Sequence, residues 1–305
     1  MSLRLSAFPK CYLDEISVHR TMSVFDWIRM ARDLDCDGLE MYEGFFESLD
    51  PGYLDSIAEA VNADGRVIPM LCCSPDFTNP DADGRKRAIE REAAMIGVMK
   101  RLGGAGSVCR VLSGQRYPEV GREQGIEWVV ESIREVLPIA REHGVILGME
   151  NHYKDGQWRY PEFAQKKDVF LAIVEQFRGD PNFGVQYDPS NAIVAGDDPI
   201  ALLRDVAGSV VSMHASDRYL ADGAKLEDLR QTDGTLGYSP NLRHGVTGKG
   251  LNDYDAIFSI LADSKYRGWV SIEDGMNGME EMRESLAFLR AIMGRYFPED
   301  PRTII

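Results

Sequence analysis

Eight short β-rich runs alternate with helical segments along this chain, and that alternation constrains the fold more than any single motif. The runs are LRLSAF from Leu3, GLEMYE from Gly38, RVIPMLCC from Arg66 and SVCRVL from Ser107, then VILGME from Val145, NFGVQYD from Asn182, SVVSMH from Ser209 and WVSIED from Trp269. The clearest helical periodicity lies at residues 84–103, 121–143, 161–177 and 279–296. Strands separated by helices pair in parallel through right-handed crossovers. Eight such units in 305 residues predict an α/β fold, a closed (β/α)8 barrel forming one domain over residues 1–305. No GxGxxG and no GxxxxGK followed by Ser or Thr succeeds any run, which argues against a dinucleotide or P-loop fold. One connection, residues 219–252, holds six glycines and shows helical pattern only at its end. It is expected to be an active-site loop.

Composition narrows the partners. The net charge of -15 repels phosphate backbones, and no Lys/Arg cluster marks a basic groove, so nucleic acid is not expected. A chain of this length with 44% apolar residues buries a core without disulfides. Its five cysteines, Cys11, Cys36, Cys72, Cys73 and Cys109, show no metal-finger spacing and are expected to be reduced thiols in a cytoplasmic protein. No apolar run reaches membrane-spanning length, and MSLRLSAFPK lacks the apolar stretch of a signal peptide, so no membrane is expected as a partner.

In barrels of this kind the reacting groups come from the C-terminal ends of the strands. Four consecutive runs end in metal-ligand residue types: Glu150, Asp188, His214 and Glu273. Side chains alternate along a strand. If Glu150 faces inward, so do Ile146, Gly148 and His152, while Gln186, Ser212 and Ser271 lie one layer below the other ligands. Three carboxylates and one imidazole make a mostly hard site for one divalent ion. Mn²⁺ or Mg²⁺ suits it best, with Co²⁺, Fe²⁺ or Zn²⁺ also compatible. Without a cation the three carboxylates would repel one another.

Other residues carry a functional and an ordinary reading side by side. His152 is expected to face the substrate as a base or hydrogen-bond donor; otherwise it is a loop histidine. Asn191, Asp217, Arg218 and His244 are candidate substrate-binding residues. The ordinary readings are a helix cap for Ser190–Asn191, a local ion pair for Asp217 with Arg218, and a solvated loop for His244. Glu40 and Arg110 lie inside the second and fourth runs and are expected to form a buried pair with each other. Glu43 is a weaker site candidate.

The stretches GMENH, YDPSNAIVAGDDP, MHASD and GKGLNDYDAIFSILADSKYRGWVSIED resemble the xylose isomerase-like barrel superfamily. The resemblance covers nearly the whole chain. That group includes the sugar phosphate isomerase/epimerase proteins, such as tagatose 3-epimerase, and also inosose dehydratase and endonuclease IV. The resemblance implies Glu150, Asp188, His214 and Glu273 as metal ligands. It also makes Glu150 and Glu273 the catalytic pair that moves the substrate proton, and implies a homo-oligomer, dimer or tetramer. There are departures. Asn191 stands where epimerases of the group often have histidine, and Arg218 is offset from their substrate-binding arginine. Five histidines are too few for the three zinc ions of endonuclease IV.

A metal that holds a carbonyl oxygen and a neighbouring hydroxyl acidifies the proton between them and stabilises the enediolate. A carboxylate in reach takes that proton. The function expected is therefore a metal-dependent isomerase or epimerase acting on a small carbohydrate, a sugar or polyol, neutral rather than phosphorylated. The alternatives are a lyase or dehydratase on a keto-sugar or inosose, including elimination from a 3-keto glycoside, and a non-catalytic sugar-binding subunit.

Overall fold

The computed structural model describes residues 3–226, 241–273 and 275–298. Its strands are β1 (Arg4–Ala7), β2 (Gly38–Leu39), β3 (Met41–Tyr42), β4 (Met70–Cys72), β5 (Val108–Val111), β6 (Ile146–Glu150), β7 (Phe183–Tyr187), β8 (Val210–Ala215), β9 (Asp217–Leu220), β10 (Leu242–Gly245) and β11 (Trp269–Ile272). Nine of them form one parallel sheet in the order β2-β1-β11-β8-β7-β6-β5-β4-β3. β2 and β3 are two halves of the second predicted run, parted only by Glu40. The Leu39 N–H donates to the Val67 carbonyl and the Glu40 N–H to the Ala7 carbonyl. This stretch therefore bonds to the strands on both sides and closes the barrel. Each of the eight predicted runs contains a barrel strand.

The helices are α1 (Leu13–Ser17), α2 (Val24–Met30), α3 (Pro51–Asn62), α4 (Ala82–Gly103), α5 (Arg122–His143), α6 (Lys167–Val174), α7 (Pro189–Ala195), α8 (Pro199–Val206), α9 (Tyr254–Asp263) and α10 (Met279–Tyr296). α4 begins two residues before its predicted start because the Asp81 carboxylate accepts from the N–H groups of Asp83 and Gly84. The segment predicted as helical from 161 is helical only from Lys167. Its first residues are drawn into the barrel mouth, where Glu162 accepts from Ser113. The long connection after β8 is not simply a loop. It carries a two-stranded antiparallel hairpin that pairs Asp217 with Gly245 and Arg218 with His244. Residues 227–240 of that connection lie outside the described residues.

Buried apolar residues from Leu3 to Phe297 form one continuous core. Along α5 these are Val129, Ile133, Val136, Leu137 and Ala140, a spacing that keeps one helix face on the sheet. Each large side chain buried this way contributes about 1.5–3 kcal/mol relative to exposure. The inside of the barrel below the ligand residues is different. Ser6, Gln186, Ser212 and Ser271 are all buried there, a small polar layer that leaves room for charged groups above. No helix among the described residues is long and apolar enough to cross a membrane, and all five cysteines are free.

Candidate metal centre

Glu150 ends β6, Asp188 follows β7, His214 lies near the end of β8 and Glu273 follows β11. Barrel closure brings these four positions together. One ligand atom from each lies within 4.8 Å of the others, and all four residues are buried. Local sequence explains two of the placements. Asp188 caps α7, its Oδ1 accepting from the Asn191 N–H at 3.0 Å, with Pro189 at the first helical position. Ser216 Oγ donates to that same oxygen, so Oδ2 is left for the centre. Asn151, next to Glu150, accepts the Asp188 N–H at 2.8 Å and donates to the Asp188 carbonyl at 2.6 Å. It clamps the ends of β6 and β7 to each other.

Each glutamate is held by a cation on one oxygen and turns the other toward the centre. Arg110 Nη1 donates to Glu150 Oε2 at 2.7 Å, while Glu150 Oε1 accepts from Asn191 Nδ2 at 3.1 Å and lies 3.2 Å from His214 Nδ1. Lys10 Nζ donates to Glu273 Oε1 at 2.9 Å, while Glu273 Oε2 lies 3.6 Å from His214 Nδ1. Burial pushes both carboxyls up. Arg110, then His214 and His152, outweigh it at Glu150 and hold that carboxyl down at about 2. Lys10 and His214 do the same at Glu273 and hold it well below the usual range. Asp188 has no such cation. Burial, with Glu273 and Glu150 adding repulsion, pushes it up to about 7.

The His214 ring has two distinct sides. Nδ1 faces Glu150 and Glu273, and Nε2 lies 2.6 Å from Glu40 Oε1. An Nε2–H donated to Glu40 leaves the Nδ1 lone pair for a metal, the usual way in which a carboxylate orients a metal-binding imidazole. Glu40 also accepts from Cys72 Sγ at 2.9 Å. The expected mutual pair of Glu40 and Arg110 is therefore not formed. The two point at different members of the ligand ring, because Arg110 on β5 neighbours β6 while Glu40 reaches across the barrel to β8.

The remaining predicted residues fall into two groups. His152 is buried beyond Glu150, and its Nδ1 lies 3.2 Å from Glu162 Oε2. Glu162 Oε1 accepts from the Ser113 N–H and hydroxyl, which fixes the carboxylate that orients the ring. Asn191 contacts Glu150 directly. Arg218 and His244 face each other across the hairpin. Burial, then Arg218 and Lys10, push His244 down to about 2. Asp217 is a correction. Its Oδ1 accepts from the N–H groups of Arg218 and Asn252, and its Oδ2 from those of Gly248 and Gly250. It organises the loop and has no oxygen to spare for a substrate. A side chain at Gly250 would come within 2.3 Å of Asp217 Oδ1, so that close approach requires glycine. Glu43 lies off the ligand ring and pairs with Arg91 and the Ser74 N–H.

Three groups of this centre escaped the sequence reading, Lys10, Asn151 and Glu162, as did the pairing of Arg110 with Glu150. Lys10 had a usable signal, since it follows the first strand at the same barrel end as the ligands. Glu162 had none, because the segment reads as helix.

The donor set fits a divalent ion. Three carboxylates and one imidazole nitrogen converge, and the burial and carboxylate repulsion that raise Asp188 are both offset by a bound cation. The xylose isomerase-like TIM barrel model matches residues 28–292. The chain belongs to the xylose isomerase-like TIM barrel family. Among solved structures it is similar in fold to a D-tagatose 3-epimerase-like protein, at 15% identity and TM-score 0.73, covering 96% of this chain and 98% of that one. It is equally similar to the IOLI protein, whose crystal structure has a bound zinc atom, at 18% identity and TM-score 0.73, covering 97% and 100%. Among curated relatives it matches inosose dehydratase 2 of Bacillus cereus, 23% identical over 154 residues, 50% of this chain and 47% of that protein. The chain thus spans about half the length of the curated relatives it matches.

Proposed function

We propose that this protein is a divalent-metal-dependent enzyme that moves a proton on the carbon beside a carbonyl of a small sugar-like substrate, as an isomerase or epimerase. The observation that carries this reading is the convergence of four ligand atoms from four consecutive barrel strands within 4.8 Å. Glu150, Asp188, His214 and Glu273 would hold the ion, Mn²⁺ or Mg²⁺ first by donor type. When bound, it supplies Lewis-acid polarisation of the substrate carbonyl.

The protein's own groups do the rest. Arg110 and Lys10 keep Glu150 and Glu273 ionised, so each can accept a proton from carbon at neutral pH. The same cations weaken the two as bases, so the substrate C–H has to be acidified, which is why the proton chemistry belongs at this centre. With one glutamate taking the proton and the other returning it, the outcome is epimerisation or aldose–ketose isomerisation. Asn191 and Arg110 fix the Glu150 oxygens; Asn151 holds Asp188 in place.

A second reading, elimination, is favoured by one specific feature. His152 is oriented by the Glu162–Ser113 pair and sits close enough to Glu150 to lower its pKa. An imidazole held this way is an acid for a departing hydroxyl, and the inosose dehydratase relatives support that outcome.

Exchange in deuterated water with Mn²⁺ and a panel of ketoses, followed by NMR, tests both. Deuterium gained with the molecular formula kept supports isomerisation, and loss of water or an aglycone supports elimination. Glu150→Gln and Glu273→Gln should each lower exchange about 10²- to 10⁴-fold. Exchange that survives both substitutions, or that a chelator leaves unchanged, overturns the reading.

A further inference from the structure

Among the described residues, two of the cations at the barrel mouth are matched: Arg110 by Glu150 and Lys10 by Glu273. Arg218 is not. It is 1% exposed, and its Nε is enclosed with no hydrogen-bond partner. Among the described residues no carboxylate forms an ion pair with it. Asp217, next to it in the chain, is taken up by backbone N–H groups. The guanidinium carbon lies 5.4 Å from the centroid of the Tyr153 ring. A buried charge without a counter-ion is strongly disfavoured, and proteins seldom keep one that does nothing.

The surroundings say what would match it. His244 is opposite Arg218 across the hairpin. Burial depresses its pKa most, and the charges of Arg218 and Lys10 add to that, so both cations lie within Coulombic reach of it. Lys10 in turn touches Glu273. The cationic group therefore borders the metal centre on its Glu273 side. Guanidinium presents a planar fork of donors suited to two oxygens of one anion. The net charge of -15 belongs to the whole chain and does not describe this local field.

We propose that Arg218, with Lys10 and His244 beside it, receives an anionic oxygen group of the substrate, a carboxylate or a phosphate, on the Glu273 side of the metal centre. This rests on the metal-centre reading above and narrows its substrate class from neutral sugars to acidic ones.

Titration calorimetry on the whole protein with Mn²⁺ tests it, using D-gluconate, D-fructose 6-phosphate and the neutral polyol sorbitol as probes. At least one of the two anions should bind about tenfold or more tighter than sorbitol, and which one does so separates carboxylate from phosphate. In Arg218→Met that preference should fall to within about twofold, with Mn²⁺ affinity unchanged and the melting temperature raised, because an unmatched buried charge has been replaced by an apolar side chain. Arg218→Lys should keep part of the preference. Sorbitol binding as tightly as both anions overturns the proposal. So does a preference that persists in Arg218→Met, since the anion would then be held elsewhere. Either result with Mn²⁺ still bound leaves the metal-centre reading standing; absence of Mn²⁺ binding overturns both.

Discussion

Cys72 and Cys73 are neighbours in the chain that face opposite sides of the barrel wall. Inside, Cys72 donates to Glu40, which accepts from His214. Outside, Cys73 Sγ lies 3.8 Å from Cys109 Sγ, and Cys109 donates to Glu92 Oε1 on α4 at 3.5 Å. Both trios are buried, and both place their ligand-type atoms within 4.8 Å of one another. Proximity alone therefore does not distinguish a functional centre from packing. Charge matching does. The inner carboxylate faces an imidazole that belongs to the ligand ring. The outer one lies against two thiols, and burial, with Glu43 adding repulsion, pushes it up to about 8. One polar cluster adjoins the proposed metal ligands, and the other is a strand–helix contact that holds its carboxyl protonated at neutral pH.

The strongest test of this difference acts on the inner charges. Arg110→Met leaves Glu150 buried without its partner. It should cost about 3–5 kcal/mol of stability in metal-free protein, read as a lower melting temperature, and added Mn²⁺ should recover part of the loss. A metal-free variant as stable as the parent would show that the pair is not what keeps Glu150 charged.

Next is Glu40→Ala, which should weaken Mn²⁺ binding about 10- to 100-fold by freeing the His214 ring. Glu40→Gln should be milder, since its amide oxygen accepts from the same Nε2–H. Calorimetry reads both, and parental affinity in Glu40→Ala would place the inner trio with the outer one.

Glu92→Gln should leave Mn²⁺ affinity untouched and change only the pH dependence of stability. The ordinary carboxyl value is 4.5 and the folded value about 8. Between them the native state keeps a proton that the unfolded chain has lost, so stability falls as pH rises from 4.5 to 8. Glutamine mimics the protonated form. The variant should match the parent below pH 4.5 and exceed it at pH 8 by on the order of a few kcal/mol, measured by denaturant melts across that range.

The smallest effect is on thiol reactivity. Burial pushes Cys73 well up. Cys109 is lowered by the Cys73 thiol, but burial and Glu92 outweigh that and push it up to about 12. Both should stay silent to a thiol reagent at pH 8 until the protein unfolds, while half-buried Cys11 reacts first. Labelling of Cys73 in the native state would show that the outer cluster opens.

The barrel and the convergence of Glu150, Asp188, His214 and Glu273 were legible in the sequence for one reason. Strand period and strand–helix alternation are local properties, and a closed parallel barrel places every strand end at one mouth. Residue types at the ends of four consecutive runs therefore pointed to a shared location before any coordinate was known. The hairpin of β9 and β10 was hidden because its strands are short and sit in a glycine-rich stretch. The split of the second strand at Glu40 was hidden because one residue's departure from the ladder leaves no trace in the hydrophobic pattern.

Pairings across the barrel were beyond reach of the sequence. Lys10 meets Glu273 across 263 positions, and Glu40 meets His214 across 174. Arg110 turned to Glu150 rather than to Glu40, and Asp217 to four backbone N–H groups rather than to a substrate. The sequence by itself determined which residue types stand at the barrel mouth. Only the tertiary structure decided which of them neutralise one another and which charge, that of Arg218 among the described residues, has no carboxylate paired with it, because that balance depends on side-chain reach between strands far apart in the chain.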